Sequence, residues 1–308
     1  MNISVNNLDY VTGRIKKIPQ KLKREFLKIP AIHAIQEQSY QKTLNYHAPF
    51  LPKLDHLGKS ILHTLRCEGT CIIPIEKLEL STTDKMMNTA AILADKLRRS
   101  NAPANRVDNC EVGSDKDDLR EFPEILLWAL EPRLLDLVEN YIGLPILYQG
   151  FAMRRSIADG QYSGVRRWHI DWEDRRIIKI IIYLNDVVAG GGPYEYIPRQ
   201  ISTKAIETLN YYNLGYLSDE EMRQAVSQED WIACLASRGS VIITDTSSVF
   251  HRAQPPTSDE RFSITFCYTS ANPQVIWRVR KVNPCQWQFI DRHTNLRQKN
   301  CLHKRLLG

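Results

Sequence analysis

The sequence predicts a mainly β protein with a helical N-terminal layer, its β part an antiparallel sandwich or barrel. Three observations predict it. Residues 33–140 carry helical patterns; after Gly143 the chain changes to short β-rich runs bounded by Gly, Pro, Asn or Asp. Those runs lie too close together for a helix between every pair, except across 201–235, which disfavours a doubly wound parallel sheet. At 308 residues, 43% hydrophobic and 25% charged, the composition is that of an ordinary soluble globular chain with a core of ordinary size. The expected organisation is a single domain over 1–308, with a basic segment (1–32), a helical layer (33–143), a barrel core (144–272) and a C-terminal extension (273–308).

The elements follow in order. In "GRIKKIPQKLKREFLK" and just before it, Val11, Ile15, Ile18, Leu22 and Phe26 recur near helical spacing among Lys and Arg, and Pro19 would kink or restart the helix. "SILHTLRCEG" reads as one short helix. "STTDKMMNTAAILADKLRRS" opens with Ser/Thr/Asp cap residues and continues in good helix formers. Residues 101–120 are polar and acidic and read as a surface loop. "EFPEILLWALEPRLLDLVENYIG" reads as one or two helices ending at Gly143, and "PILYQGFAMRRSI", "RIIKIIIYLND", "GSVIITDT" and "RFSITFCYTS" read as strands.

Charge and cysteine usage narrow the setting. The net charge of +6 sits at the ends: residues 1–30 carry seven Lys/Arg against two Asp/Glu, and 292–308 carry five Lys/Arg and no acid, while the body holds 29 basic and 33 acidic residues. Basic ends can meet an acidic carrier protein or an anionic membrane surface, or simply be solvated or packed on the domain. No recognised motif accompanies the charge, so nucleic acid is not expected as a partner. No apolar run approaches a membrane span, and no secretory signal pattern opens the chain. The seven cysteines show no regular spacing; His63, Cys67 and Cys71 fall four apart but lack a fourth ligand, so reduced thiols in a cytoplasmic protein are expected.

The stretch "RRWHIDWEDRRIIKIIIYLND" carries the chemistry. In an extended chain His169 and Asp171 point to the same face, at the mouth of an apolar strand. Of the eight histidines, four lie in the helical part (His33, His47, His56, His63) and two in the basic tail (His293, His303), leaving His169 and His251 in the strand region. Two His and one carboxylate with open positions form the facial triad of non-haem Fe(II) oxygenases, whose open sites take a cosubstrate and O2. A 2-oxoacid cosubstrate also needs a cation for its far carboxylate. Arg261 opens the strand ten residues after His251, and Arg261, Ser263 and Thr265 alternate onto one face while Phe262, Ile264 and Phe266 take the other. On the opening strand Lys179, Ile181, Tyr183 and Asn185 share one parity, so Tyr183 can point inward toward the same carboxylate.

The set "WHIDW", "IIYLND", "GGPYEYIP", "GSVIITDTSSVFHRAQPP" and "ERFSITFCYTS" resembles the Fe(II)- and 2-oxoglutarate-dependent oxygenases, particularly the phytanoyl-CoA dioxygenase-like branch, over roughly residues 145–270. The resemblance implies a double-stranded β-helix (a jelly-roll or cupin-like barrel), with His169, Asp171 and His251 as iron ligands and O2 and 2-oxoglutarate as cosubstrates. Arg261 matches the 2-oxoglutarate arginine of that family, Ser263 its Arg-x-Ser pattern, and Tyr183 a tyrosine that binds the same carboxylate in related hydroxylases. A further contact is expected from the strand before the first ligand, where Gln149 and Arg154 are the candidates. Where the family often carries a Gly-Ser-His segment after the Gly-Pro turn, this chain has Arg199-Gln200-Ile201. Asp171 stands where related halogenases have a small residue, so the implied reaction is hydroxylation of a C–H on a small molecule, free or carrier-tethered, with release of succinate and CO2. The alternatives are a protein side-chain hydroxylase and a non-catalytic barrel. The intact triad and Arg261 speak against the latter.

Overall fold

The structure is a computed structural model that describes residues 30–99, 106–107, 111–113, 123–211, 215–274 and 284–302. The chain divides into two compact units, residues 1–50 with 212–215, and residues 51–211 with 216–308. In the first, helix α1 (Pro30–His47) runs into a 3-10 turn at Ala48–Phe50, where Phe50 meets the ring of Tyr46 at 6.1 Å. The basic amphipathic pattern of residues 11–26 lies outside the described residues.

The second unit carries the sheets. Helix α2 (His56–Glu68) starts at Asp55, whose carboxylate accepts from the Gly58 N–H, and stops at Gly69 in the left-handed region. Strand β1 (Thr70–Pro74) follows, then helix α3 (Thr83–Arg99). The cap residues expected at the start of α3 are held from outside it: Glu131 Oε1 accepts from Ser81 Oγ, Thr82 N and Thr82 Oγ1 at 2.9–3.0 Å. The long helical pattern before Gly143 is two helices, α4 (Pro123–Ala129) and α5 (Pro132–Ile142), because Pro132 cannot continue a helix but suits its first turn.

Among the described residues the strands build two antiparallel sheets. The larger has the order β1-β8-β5-β10-β4-β3-β2, with β2 (Arg106–Val107), β3 (Glu111–Gly113), β4 (Ile146–Ser156), β5 (Ile178–Tyr183), β8 (Ser240–Asp245) and β10 (Arg261–Ser270). The smaller has the order β7-β6-β9, with β6 (Tyr194–Tyr196), β7 (Ile232–Ala233) and β9 (His251–Ala253). The expected loop at 101–120 therefore contains two short strands at the edge of the larger sheet. Their polar sequence shows no period-2 apolar signal, since an edge hairpin is held by main-chain pairing with β4. The 201–235 crossover holds helices α6 (Arg199–Thr208) and α7 (Asp219–Arg223).

The two faces of the larger sheet differ as the alternation predicts. Phe262, Ile264 and Phe266 join Ile178, Ile180, Ile182, Val241 and Ile243 in one buried cluster with the apolar sides of α2–α5, where Trp128 packs on Phe266 at 4.7 Å. The other face looks toward the smaller sheet. The C-terminal helices α8 (Pro284–His293) and α9 (Leu296–Asn300) bring Cys301 to β4, where its carbonyl accepts from Tyr148 N at 2.7 Å. Part of the basic tail is neutralised there: Arg297 pairs with Asp136 and Glu139, and Lys299 with Asp291. No described helix is long and apolar enough to cross a membrane.

Candidate metal centre

His169, Asp171 and His251 converge between the two sheets, with one ligand atom of each within 4.8 Å of the others. It is the one such cluster of His, Cys, Asp and Glu among the described residues. The main chain makes the convergence. His169 and His251 form an isolated antiparallel bridge, and Asp171 N donates to Thr246 O at 2.9 Å, so the short stretch that carries the first two ligands is pinned at His251 in β9 and at Thr246 just after β8. Asp171 Oδ1 lies 3.8 Å from His169 Nε2, and Oδ2 lies 3.7 Å from His251 Nε2.

The donor set fits a divalent metal. His169 Nδ1 lies 2.8 Å from the Arg167 carbonyl and His251 Nδ1 3.1 Å from the Val249 carbonyl. A carbonyl can only accept, so both Nδ1 atoms carry the proton and both Nε2 lone pairs face Asp171. Burial pushes both imidazoles toward the neutral form, His251 to about 3 with His169 adding to the effect. Burial opposes the charge on Asp171, but Lys179 and the two imidazoles outweigh it and hold the carboxyl below its usual range. Two neutral imidazoles and one carboxylate are thus prepared as ligands before any metal arrives.

A cavity of about 100 Å³ opens on this cluster. His169, His251, Arg261, Ser263 and Thr265 all line it, as the strand parity required, together with Arg154 and Ala152 of β4 and Lys179 and Ile181 of β5. Arg261 is 5% exposed. Its Nη1 donates to the Gly192 carbonyl and its Nη2 to Ser156 Oγ at 3.2 Å. Gly192 has φ of +66°, and a Cβ there would stand 2.4 Å from Pro256 Cγ and 2.7 Å from the Gln254 carbonyl, so this anchor of Arg261 requires glycine. A larger hollow of about 710 Å³ lies by α3, α4 and the C-terminal helices, away from the metal cluster.

The remaining expected residues are placed differently. Tyr183 is buried, but its hydroxyl donates to the Cys234 carbonyl at 3.1 Å and accepts from Tyr194 N at 2.8 Å, and the side chain is not among those lining the cavity. Gln149 is the extra residue where the β4–β10 register shifts between Gly150 and Tyr148, and its Nε2 donates to Thr269 Oγ1 at 2.9 Å. Of the two β4 candidates the structure brings Arg154 to the cavity and not Gln149. Trp168, Glu173, Asp174 and Arg176, which flank the first two ligands in sequence and so could have lined the site's entrance, serve the scaffold: Trp168 packs under Arg252, Glu173 accepts from Trp172 N, Asp174 accepts from Ser270 N, and Arg176 donates to the Tyr141 and Ile142 carbonyls. His63 and the exposed Cys67 lie 3.8 Å apart, while Cys71 is buried in β1.

Two residues of the centre carried little signal in the sequence. Lys179 Nζ lies 2.5 Å from Asp171 Oδ2, with side-chain exposures of 15% and 9%. Its strand parity pointed it inward; its partner came from another segment. Arg252, next to His251, is 2% exposed, sits over Trp168 at 4.4 Å, and is held by Glu195 (Nε–Oε2 2.6 Å) and Asp219. Trp168 precedes one histidine and Arg252 follows the other, so this packed pair braces both ligand segments.

No family model matches the chain, and no curated protein matches it. Among solved structures, it is similar to EctD from S. alaskensis with 2-oxoglutarate and 5-hydroxyectoine (15% identity, 72% of this chain and 80% of that one, TM-score 0.49). It is also similar to AviO1 from Streptomyces viridochromogenes (16%, 73% and 99%, TM-score 0.49) and to the non-heme alpha ketoglutarate dependent carbocyclase SnoK from nogalamycin biosynthesis (16%, 70% and 85%, TM-score 0.48). Likeness at this level carries no chemistry; the chemistry rests on the side chains of the centre.

Proposed function

We propose that this chain is an Fe(II)- and 2-oxoglutarate-dependent oxygenase that hydroxylates an unactivated C–H of a small organic molecule, on a double-stranded β-helix formed by the two sheets. The observation that carries this reading is the pairing of a preorganised His169–Asp171–His251 triad with a buried arginine, Arg261, on one cavity. The triad would hold the metal. Arg261, with Ser263 and Thr265 beside it on β10, would hold the far carboxylate of the cosubstrate. Iron with 2-oxoglutarate and O2 supplies the oxidative chemistry, giving succinate, CO2 and the hydroxylated product. The protein fixes ligand orientation through the two Nδ1–carbonyl hydrogen bonds and keeps water out with Ile181, Val165 and Ala152. Asp171 occupies the carboxylate position, which favours hydroxylation over halogenation. The small cavity favours a small substrate or the tip of a tethered one over a bulky ligand. Contact with an acidic carrier or an anionic membrane would fall to the basic termini, of which residues 1–29 and 303–308 lie outside the described residues.

The test is anaerobic loading with Fe(II), then 2-oxoglutarate, watching for the weak visible metal-to-ligand charge-transfer band. The band should appear in the wild type, vanish in His169→Ala, and need more 2-oxoglutarate in Arg261→Ala. Iron binding without a band would remove the cosubstrate from the reading.

A further inference from the structure

A metal ion entering this triad meets a cation already in place. The Lys179 ammonium touches Asp171 Oδ2, the carboxylate oxygen nearer His251 Nε2, so it stands one carboxylate away from the metal position. Lys179 is fixed there by the sheet: β5 places it opposite Thr244 of β8 and Cys267 of β10, with its side chain on the cavity face. Without metal, the lysine compensates a carboxylate that would otherwise be buried beside two neutral imidazoles. With a dication bound, Asp171 is compensated twice and the ammonium becomes the excess charge, in surroundings that screen it poorly. A dianion on the metal offsets part of that excess, with one carboxylate at the metal and the other facing Arg261.

We propose that Lys179 makes metal retention conditional on the anionic cosubstrate: it competes with the metal for Asp171, and the competition is relieved when a 2-oxo dicarboxylate binds. The second half rests on the cosubstrate reading above; the first half does not. Such coupling is reciprocal, so the metal tightens the cosubstrate by the same factor.

The experiment is titration of the full chain with Mn(II), reading free Mn(II) by electron paramagnetic resonance, with and without 2-oxoglutarate. In the wild type, 2-oxoglutarate should tighten Mn(II) about tenfold or more. Lys179→Met should bind Mn(II) alone about tenfold tighter than the wild type, and gain less from 2-oxoglutarate. Lys179→Arg, which keeps the charge, should follow the wild type. A Met variant that binds Mn(II) alone no better than the wild type, or about 10- to 100-fold worse as when an orienting partner is lost, overturns the proposal. If 2-oxoglutarate changes nothing in either protein while the Met variant still binds metal more tightly, the cosubstrate assignment falls and the competition at Asp171 stands. Circular dichroism checks folding; should Lys179→Met not fold, Lys179→Gln, neutral but still able to donate to Asp171, must show the same tightening.

Discussion

The main chains of His169 and His251 hold each other: His169 N donates to His251 O at 3.1 Å, and His251 N donates to His169 O at 3.0 Å. Two ligands 82 positions apart in sequence are thereby neighbours in one bridge, their ring centroids 4.3 Å apart. The bridge is what turns an H-x-D tripeptide and a remote histidine into a single centre.

Substitution of any triad member should therefore abolish tight metal binding. His169→Ala, Asp171→Ala and His251→Ala should each weaken Mn(II) or Co(II) by more than about 100-fold, beyond the loss typical of an outer-shell partner. Isothermal titration reads this directly. A His251→Ala protein that binds as the wild type does would show that the triad is not the metal site.

Arg261 should separate cosubstrate from metal. Arg261→Ala should raise the 2-oxoglutarate needed to form the visible band by about 10- to 100-fold, the worth of a charge-assisted bond in a buried site. Metal affinity measured alone should stay within error.

Tyr183→Phe should act on the fold and not on the cosubstrate. The lost hydroxyl strands the buried Tyr194 N–H and the Cys234 carbonyl, costing about 1–3 kcal/mol in urea unfolding. A marked fall in 2-oxoglutarate affinity would instead put the tyrosine on the cosubstrate.

Arg252 should behave as half of a buried ion pair. Arg252→Met leaves Glu195, whose side chain is 7% exposed, without its nearest cation, and should cost about 3–5 kcal/mol. Adding Glu195→Leu should recover most of that loss. Equal stability of the single and double variants would place the cost in packing against Trp168.

Thiol reactivity should follow burial. Burial pushes Cys301 up to about 11 and Cys234 up to about 12, whereas Cys67 is exposed. At pH 8 the Cys301 thiolate is scarcer than that of an ordinary cysteine by about 100-fold, so iodoacetamide should label Cys67 well ahead of Cys234 and Cys301, as peptide mapping would show.

What the sequence determined by itself was periodicity and chemistry. Alternation on β10 fixed Arg261, Ser263 and Thr265 on one face and the Phe–Ile–Phe row on the other, because a strand has only two faces. Gly143 fixed the end of the helical layer through the backbone angles it allows, while one helix or two before it stayed open until the structure placed the break at Pro132. His169, Asp171 and His251 were legible because few histidines fell in the strand region. Tertiary structure decided the rest. Tyr183 has the inward parity of Lys179 and Ile181, yet its hydroxyl goes to main-chain groups of other segments, which no local spacing encodes. Gln149 is the extra residue of a one-residue register shift and gives its amide to Thr269, a pairing property of two strands that neither strand's sequence displays. The contact of Lys179 with Asp171 joins a strand to the segment before it across a fold in the chain. Alternation says which way a side chain points; only the packed sheets say what it meets there.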